Sequence, residues 1–302
     1  MEVLVRLLAL LVVLLFGTGL RSIGILDTHR TAQLNAVAYY VALPALIIVS
    51  TYEQAIGELL SLALLGGLLF VLFATAGVAW AVHRNRGADG RRSVAIIQSY
   101  HSNIGYLGLP LIAATFDAEV TAIASVVLGV VSLVQVPLTI LVLTSFNGTD
   151  ASISDELRRL ATNPVLAALL VGITIGSVGI AVPGSVAIGL DAVGSLALPL
   201  ALLCVGASLQ FELPTGELGA MASVVGLKIA VMPLLAWLVF SGLAVDSATF
   251  AATVVMLGTP TAVSTYVFAT ELGGDETFAS LNVFATTVAS IGSLFVLIEL
   301  VG

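Results

Sequence analysis

Few residues inside the apolar stretches of this chain could do chemistry. Lys228 lies near the middle of one stretch, five residues before Pro233, and His101 lies in another beside Ser102 and Asn103. An ionisable side chain buried within a bilayer is costly and is therefore a functional candidate. Lys228 could neutralise a substrate carboxylate, replace a bound cation by propping the helices around it, or pair with a carboxylate. His101 fits a hydrogen-bonded interior histidine better than a proton carrier.

Two glycine–proline pairs point to a different kind of site. Gly108 precedes Pro110 by two residues, and Gly258 and Thr259 precede Pro260. Proline removes a helix hydrogen bond, and lipid cannot satisfy the freed carbonyl, so broken backbone needs protein or water around it. Hydroxyl and amide side chains cluster near both pairs. We predict two discontinuous helices that cross near the middle of the bilayer, whose bare N–H groups and dipoles form an anion site without Lys or Arg.

Composition predicts the elements that hold these residues. The chain has 302 residues, of which 59% are hydrophobic and 9% charged, whereas roughly a quarter of the residues in a soluble domain are charged. Most of the surface must therefore face lipid, and a helix that spans a bilayer needs about 20 apolar residues. The sequence predicts an all-α polytopic membrane protein with ten spans: 3–21, 32–51, 58–82, 93–115, 119–145, 164–181, 186–210, 219–243, 247–270 and 277–300. Four further prolines predict simple kinks: Pro44, Pro137, Pro199 and Pro233.

Arginine placement predicts the orientation. The loops after the first, third and fifth spans share one side of the membrane and hold eight of the ten basic residues. Such loops are cytoplasmic as a rule. We expect a multi-pass protein of the plasma (cytoplasmic) membrane with both termini outside. The net charge of −8 and the lack of a basic patch exclude nucleic acid as a partner. The arginines that set the orientation are Arg21, Arg30, Arg84, Arg86, Arg91, Arg92, Arg158 and Arg159.

The two halves of the chain resemble each other. LNAV at 34–37 matches LDAV at 190–193, and an LP pair follows each motif, about 155 residues apart. The glycine–proline pairs recur in the same order. An odd number of spans in each half makes the second copy enter the membrane from the opposite side, as in many secondary transporters. We predict a first five-helix repeat at 1–146, a cytoplasmic linker at 147–163 and a second, inverted repeat at 164–302.

The same residues exclude several classes of site. Only three histidines are present, none with the spacing of a zinc protease, and the single cysteine, Cys204, can form neither an intrachain disulfide nor a four-cysteine site. We therefore expect no enzyme, no metal centre and no cofactor. A cation antiporter would need aspartate at the helix crossing, and spans 4, 5, 9 and 10 hold none at mid-depth. Coupling to sodium or protons stays open, because hydroxyl and backbone oxygens can bind sodium.

These residues, taken in order, resemble the auxin efflux carrier family, which includes the PIN-like transporters. The likeness covers nearly the whole chain. It is carried by LNAVAYYVALPALI at 34–47, SNIGYLGLPL at 102–111, Asn163-Pro164, LPLALLCVGASL at 198–209, Lys228 with Pro233, and GTPTAVSTYVFATELGGD at 258–275.

The resemblance implies a five-plus-five inverted repeat with crossed broken helices 4 and 9, as in sodium/proton antiporters and bile-acid symporters. It further implies a scaffold of helices 1, 2, 6 and 7, and a transport domain of helices 3–5 and 8–10 that moves as an elevator. The resemblance also implies a homodimer that carries a small organic anion, either an auxin-like acid or a mono- or dicarboxylate. Carried over by position, the substrate site comprises Asn103, Gly108, Pro110, Gln135, Gly258, Thr259 and Pro260, with Lys228 and His101 as supporting residues.

Overall fold

A computed structural model describes residues 2–54, 60–149, 158, 160–208 and 218–302. Apart from one isolated β-bridge, the regular structure in these ranges is helical. The described helices, numbered in chain order, are α1 Glu2–Ser22, α2 Thr28–Thr51, α3 Leu62–His83, α4 Asp89–Tyr100, α5 Ile104–Thr115, α6 Ala118–Asn147, α7 Pro164–Val178, α8 Gly184–Gly194, α9 Ala197–Ser208, α10 Gly219–Gly242, α11 Ser247–Leu257, α12 Ser264–Glu271 and α13 Glu276–Val301.

Six of the described helical stretches are long and apolar enough to cross a membrane, namely α2, α3, α6, α8 together with α9, α10 and α13. Shorter apolar helices accompany them. The outer surface carries large apolar side chains such as Leu170 and Ile188, which are 68% and 73% exposed. A surface of this kind is stable in lipid and not in water. The chain is thus an all-helical, multi-pass membrane protein.

Local capping explains where helix ends depart from the predicted spans. α3 begins at Leu62 rather than at residue 58, because the Ser61 hydroxyl accepts a hydrogen bond from the Leu64 N–H and caps the helix. α7 ends at Val178, because Gly179 takes a left-handed conformation with φ 71°.

The predicted linker at 147–163 is described only at its two ends. Residues 150–157 and 159 lie outside the described residues. α6 runs to Asn147, and α7 starts at Pro164. Asn163 caps α7, since its side-chain oxygen accepts from the Val165 and Leu166 N–H groups.

Two of the prolines predicted to cause kinks, Pro44 and Pro233, follow π-helical turns. Five-residue π segments end just before the Leu43-Pro44 and Met232-Pro233 pairs. A π turn shifts the hydrogen-bond register, and proline lacks the N–H that the normal register would require. Pro137 lies inside the continuous helix α6. Near Pro199 the structure differs from the predicted kink, because the helix is interrupted at residues 195–196, between α8 and α9.

Two glycines bring α1 and α9 into backbone contact. A Cβ added to Gly17 would overlap the Leu203 carbonyl oxygen, and a Cβ added to Gly206 would overlap that of Leu14. The Thr18 hydroxyl donates to the Gly206 carbonyl at 2.8 Å. Small residues allow this close approach, which is a main source of helix association in membranes. α2 packs in turn against α7 and α8.

Replacing Gly206 with alanine is expected to lower the free energy of unfolding by about 1–3 kcal/mol, because the new methyl group must push α1 away from α9. Thermal unfolding followed by tryptophan fluorescence in detergent measures the change. Gly77→Ala is the matched control, since a Cβ there meets nothing within 4 Å. Equal melting temperatures for the two variants would show that this contact does not limit stability.

Candidate functional site

Two interrupted helices meet inside the protein. Residues 101–103 separate α4 from α5, and residues 258–263 separate α11 from α12. The two segments, called here the crossing, form an antiparallel bridge. The Asn103 N–H donates to the Pro260 carbonyl at 2.8 Å, and the Ala262 N–H donates back to the first segment at 3.0 Å. Each interrupted helix therefore supplies part of the hydrogen bonding that the other has lost.

The first interruption lies at residues 101–103, seven residues before Pro110, and not at the glycine–proline pair itself. A π segment at 104–108 precedes Pro110, and within it the Gly108 N–H donates to the Asn103 carbonyl at 3.0 Å. The π turn shifts the hydrogen-bond register so that no N–H is required from Pro110, and α5 continues through the proline. In the second half of the chain, Pro260 lies within the interruption.

Gln135 of α6 holds the first segment of the crossing in place. Its Oε1 accepts from the Ser102 N–H at 3.1 Å, and its Nε2 donates to the Ser102 carbonyl at 3.2 Å. On the other segment, the Thr261 N–H donates to Thr286 Oγ1 of α13 at 3.3 Å. Neighbouring side chains thus satisfy backbone groups that a continuous helix would pair internally.

His101 lies in a hydrogen-bonded interior position. Its Nδ1 is 2.8 Å from Thr139 Oγ1 of α6, and the Tyr100 hydroxyl is 3.2 Å from the same atom. The ring is 2% exposed and packs 6.2 Å from the Phe268 ring. This environment orients the backbone carbonyl of His101 toward the crossing, where it accepts from Thr261 Oγ1 at 3.3 Å.

Lys228 lies fully buried beside the end of α11. Its Nζ donates to the carbonyl of Leu257, the last residue of that helix, at 2.9 Å and lies 3.3 Å from Met232 Sδ. In the described part of the chain no carboxylate lies within ion-pair distance of it. Of the three roles considered above, these contacts match a cation that props the helix end, where the dipole is negative.

The remaining predicted residues lie within the crossing or directly beside it. Thr259 Oγ1 donates to the Met256 carbonyl at 2.8 Å. A Cβ on Gly108 would meet Met256 Sδ at 2.8 Å and Thr259 Cγ2 at 3.2 Å, and one on Gly258 would overlap the Leu297 side chain. Gly108 therefore lies in close contact with α11 and the second segment of the crossing, and Gly258 lies in close contact with α13.

The side-chain amide of Asn103 differs from the paired side chains described above, as do two buried atoms that lack a partner among the described residues, His83 Nε2 and Asn282 Oδ1. Asn103 is only 3% exposed. Its backbone N–H and carbonyl are both used, but its side-chain amide has no hydrogen-bond partner among the described residues. A nearly buried amide is normally paired. The donor and acceptor of this amide, in contrast, are not used by the described residues.

A cavity of about 560 Å³ opens beside the crossing. Its walls come from the end of α1 and from α2, α5, α9, α12 and α13. It borders Tyr106, three residues after Asn103, and Val263 and Ser264, where α12 begins. The predicted substrate residues themselves do not line it, so sequence reasoning missed the cavity. One signal was present: Thr28, Thr31 and Asn35 have helical spacing and are all polar.

Aromatic and amide groups close the inner end of this cavity. The Tyr106 ring stacks on Tyr39 of α2 at 5.7 Å. Asn35 Nδ2 donates to the Tyr106 hydroxyl at 3.3 Å, and Asn163 Nδ2 donates to the Tyr39 hydroxyl at 2.6 Å. Tyr106 belongs to the π segment of α5, so these contacts join the interrupted helix to α2 and α7.

Comparison with known proteins agrees with this architecture. The profile of the family described as "Membrane transport protein" matches residues 2–298. An uncharacterized transporter of Methanothermobacter thermautotrophicus is 27% identical over 291 residues, which cover 95% of this chain and 94% of the relative. These matches indicate a transporter family and not an enzyme family. The chain belongs to the membrane transport protein family, which is the auxin efflux carrier family of PIN-like transporters.

Proposed function

We propose that the protein is a secondary transporter that carries a small organic anion by an elevator motion. In this proposal the crossing lies at mid-depth, and two inverted repeats, 1–146 and 164–302, build the fold. The scaffold comprises α1, α2 and α7–α9, and the transport domain comprises α3–α6 and α10–α13. The packing of α1 on α9 and of α2 on α7 and α8 supports this division, as do the contacts of α6 and α10 with α11. We also propose a homodimer formed through the scaffold.

The cavity supports an inward-open state under the proposed orientation. Arg21, in the last turn of α1, and Thr28, the first residue of α2, line the cavity and flank the first arginine-containing loop. If that loop is cytoplasmic, the cavity opens to the cytoplasm and ends at the crossing. Tyr106 and Ser264 at its inner end lie on the interrupted helices, which are part of the proposed moving domain.

One observation carries the proposal: the cavity borders the first turn of each helix that follows an interruption, at Tyr106 of α5 and at Ser264 of α12. The N-terminus of each helix carries the positive end of its dipole. The Asn103 amide does not line the cavity, but Asn103 lies three residues before Tyr106 and its amide adds a neutral donor at the crossing. No Asp or Glu of the described residues lines the cavity. These features favour a ligand with a carboxylate of modest size.

Transport measurements on purified protein test the proposal. A panel of mono- and dicarboxylates, including indole-3-acetate and malate, is screened by thermal shift, and the hits are assayed for uptake into proteoliposomes. Saturable uptake of an anion supports a carrier, whereas non-saturable flux would indicate a channel. Uptake with and without sodium, and with and without a pH gradient, separates a uniporter from a sodium- or proton-coupled symporter. Failure of every acid on the panel would contradict an organic-anion substrate.

Asn103→Ala is expected to reduce the affinity for the transported anion about fivefold while the protein stays folded, since one hydrogen bond contributes about 1 kcal/mol. Pro110→Ala should also reduce transport, because it allows a regular turn where the π segment now shapes α5. Uptake kinetics and melting temperature measure both effects, with Gln33→Ala on the exposed face of α2 as the control. Wild-type kinetics in both Asn103→Ala and Pro110→Ala would show that the site lies elsewhere.

A further inference from the structure

We propose that Arg21 forms a separate anion-binding subsite at the mouth of the cavity, where a substrate carboxylate binds before it reaches the crossing. The inference rests on the proposed function, because it requires an anionic substrate. Arg21 lies in the last turn of α1, is exposed, and lines the cavity. Within the described part of the chain, it is the charged side chain of the cavity lining.

No acidic side chain among the described residues pairs with the guanidinium of Arg21. Its Nη1 and Nη2 donate to the Leu26 carbonyl at 3.4 Å and to Thr28 Oγ1 at 3.2 Å, and both acceptors are neutral. Arg30, in the same region, differs, because its guanidinium lies 3.9 Å from the Asp27 carboxylate. A guanidinium has five N–H donors in a planar fork that matches a carboxylate. Arg21 therefore retains both the charge and the donors to bind one.

A polar stripe leads from Arg21 toward the crossing. Thr28, Thr31 and Asn35 are three and four residues apart on α2 and all line the cavity, so they lie on one face of the helix. A rise of 1.5 Å per residue places the ends of the stripe about 10 Å apart. The Asn35 amide then bonds to the hydroxyl of Tyr106, which borders the crossing.

The exposed position of Arg21 indicates that this residue captures the substrate anion from solution and does not bind it tightly. An exposed guanidinium attracts anions from solution and raises their local concentration, and salt screens this attraction. The crossing is enclosed by neutral groups, with the Lys228 amine behind it at the end of α11, so an anion that left Arg21 would move from an exposed site to an enclosed one. Arg21 is thus a positioning residue for substrate that arrives from the side to which the cavity opens.

The test compares Arg21→Gln with Arg30→Gln in membrane vesicles of both orientations. Inside-out vesicles present the cytoplasmic face to the medium, and right-side-out vesicles present the other face. With indole-3-acetate or malate as the probe, Arg21→Gln should raise KM about threefold to tenfold in inside-out vesicles and leave kcat nearly unchanged. In right-side-out vesicles KM should stay at the wild-type value. The KM difference should shrink in high salt, and Arg30→Gln should match the wild type throughout.

Arg21→Lys keeps the charge and separates electrostatics from folding. The KM of Arg21→Lys should stay close to the wild-type value, whereas the KM of Arg21→Gln should rise. Equal KM values for wild type and Arg21→Gln, or an equal rise from both faces, would overturn the subsite while leaving anion transport intact. If the wild type carries neither acid saturably from either face, the proposed function fails, and the subsite fails with it.

Discussion

Replacing Gln135 with leucine is expected to lower the free energy of unfolding by about 2–6 kcal/mol, because two buried backbone groups lose their partners at about 1–3 kcal/mol each. Gln135 is 3% exposed, and its amide pairs with both the N–H and the carbonyl of Ser102. Leucine fills much of the same space but has no donor or acceptor. Ser102 directly precedes Asn103, so transport should also fall at least about tenfold. A loss of about 1.4 kcal/mol in the free energy of substrate binding is enough to cause this.

Thermal unfolding and proteoliposome uptake measure the two effects of Gln135→Leu together. Gln33→Leu is the matched control, because Gln33 is exposed on α2 and its Nε2 contacts only the surface residue His29 at 3.1 Å, so far as the structure describes it. It should match the wild type in both measurements. A Gln135→Leu protein with normal stability would show that water replaces the lost partners. The crossing would then be more hydrated than its burial indicates.

The apolar pattern and the prolines made much of the fold predictable. Charge depletion and apolar run length indicate membrane helices without any tertiary information. Residues 258–263, which include Pro260, separate α11 from α12, and proline and glycine weaken a helix locally. The interruption near Pro110 is displaced, since a π turn lets α5 pass through that proline. Sequence spacing does not show which of these two responses a proline will produce.

The cavity was not predictable from the sequence, because its wall residues are distant along the chain. Arg21, Tyr106 and Ser264 come together only when α1, α5 and α12 pack. The contact of Gly206 with Leu14 has the same origin, because the need for a small residue appears only after the helices are placed. Asn103 was recognised as a candidate from its type and neighbours. That its amide lacks a partner became visible only from the contacts around it.

Lys228 and Gln135 hold the two sides of the crossing by different means. The Gln135 amide pairs one donor and one acceptor with the backbone of Ser102 and buries no charge. Lys228 brings an ionisable amine into a site that is 0% exposed, where its Nζ meets the Leu257 carbonyl and Met232 Sδ. A buried charge is expensive for stability. Its presence beside the proposed anion site therefore favours a role in transport over a role in folding.

Lys228→Met tests this interpretation, since methionine is a similar linear side chain without charge. The variant leaves the Leu257 carbonyl unpaired, at about 1–3 kcal/mol, and removes a desolvation penalty of several kcal/mol. The two changes oppose each other, so the melting temperature should stay at or above the wild-type value. Transport should nevertheless fall at least about tenfold, because the positive charge that supports anion binding at the end of α11 is gone.

Met232→Leu is the control for Lys228→Met, because it nearly conserves volume and removes the sulfur that lies near Nζ and accepts from the Ser102 hydroxyl. It should retain both stability and transport. A Lys228→Met protein that transports normally would refute the electrostatic role, and one that unfolds readily would make Lys228 a structural residue. Normal stability with lost transport is the pattern that a folding role cannot produce. In that case the charge at the end of α11 contributes to anion binding from behind the crossing, where Asn103 and the helix N-termini face the ligand.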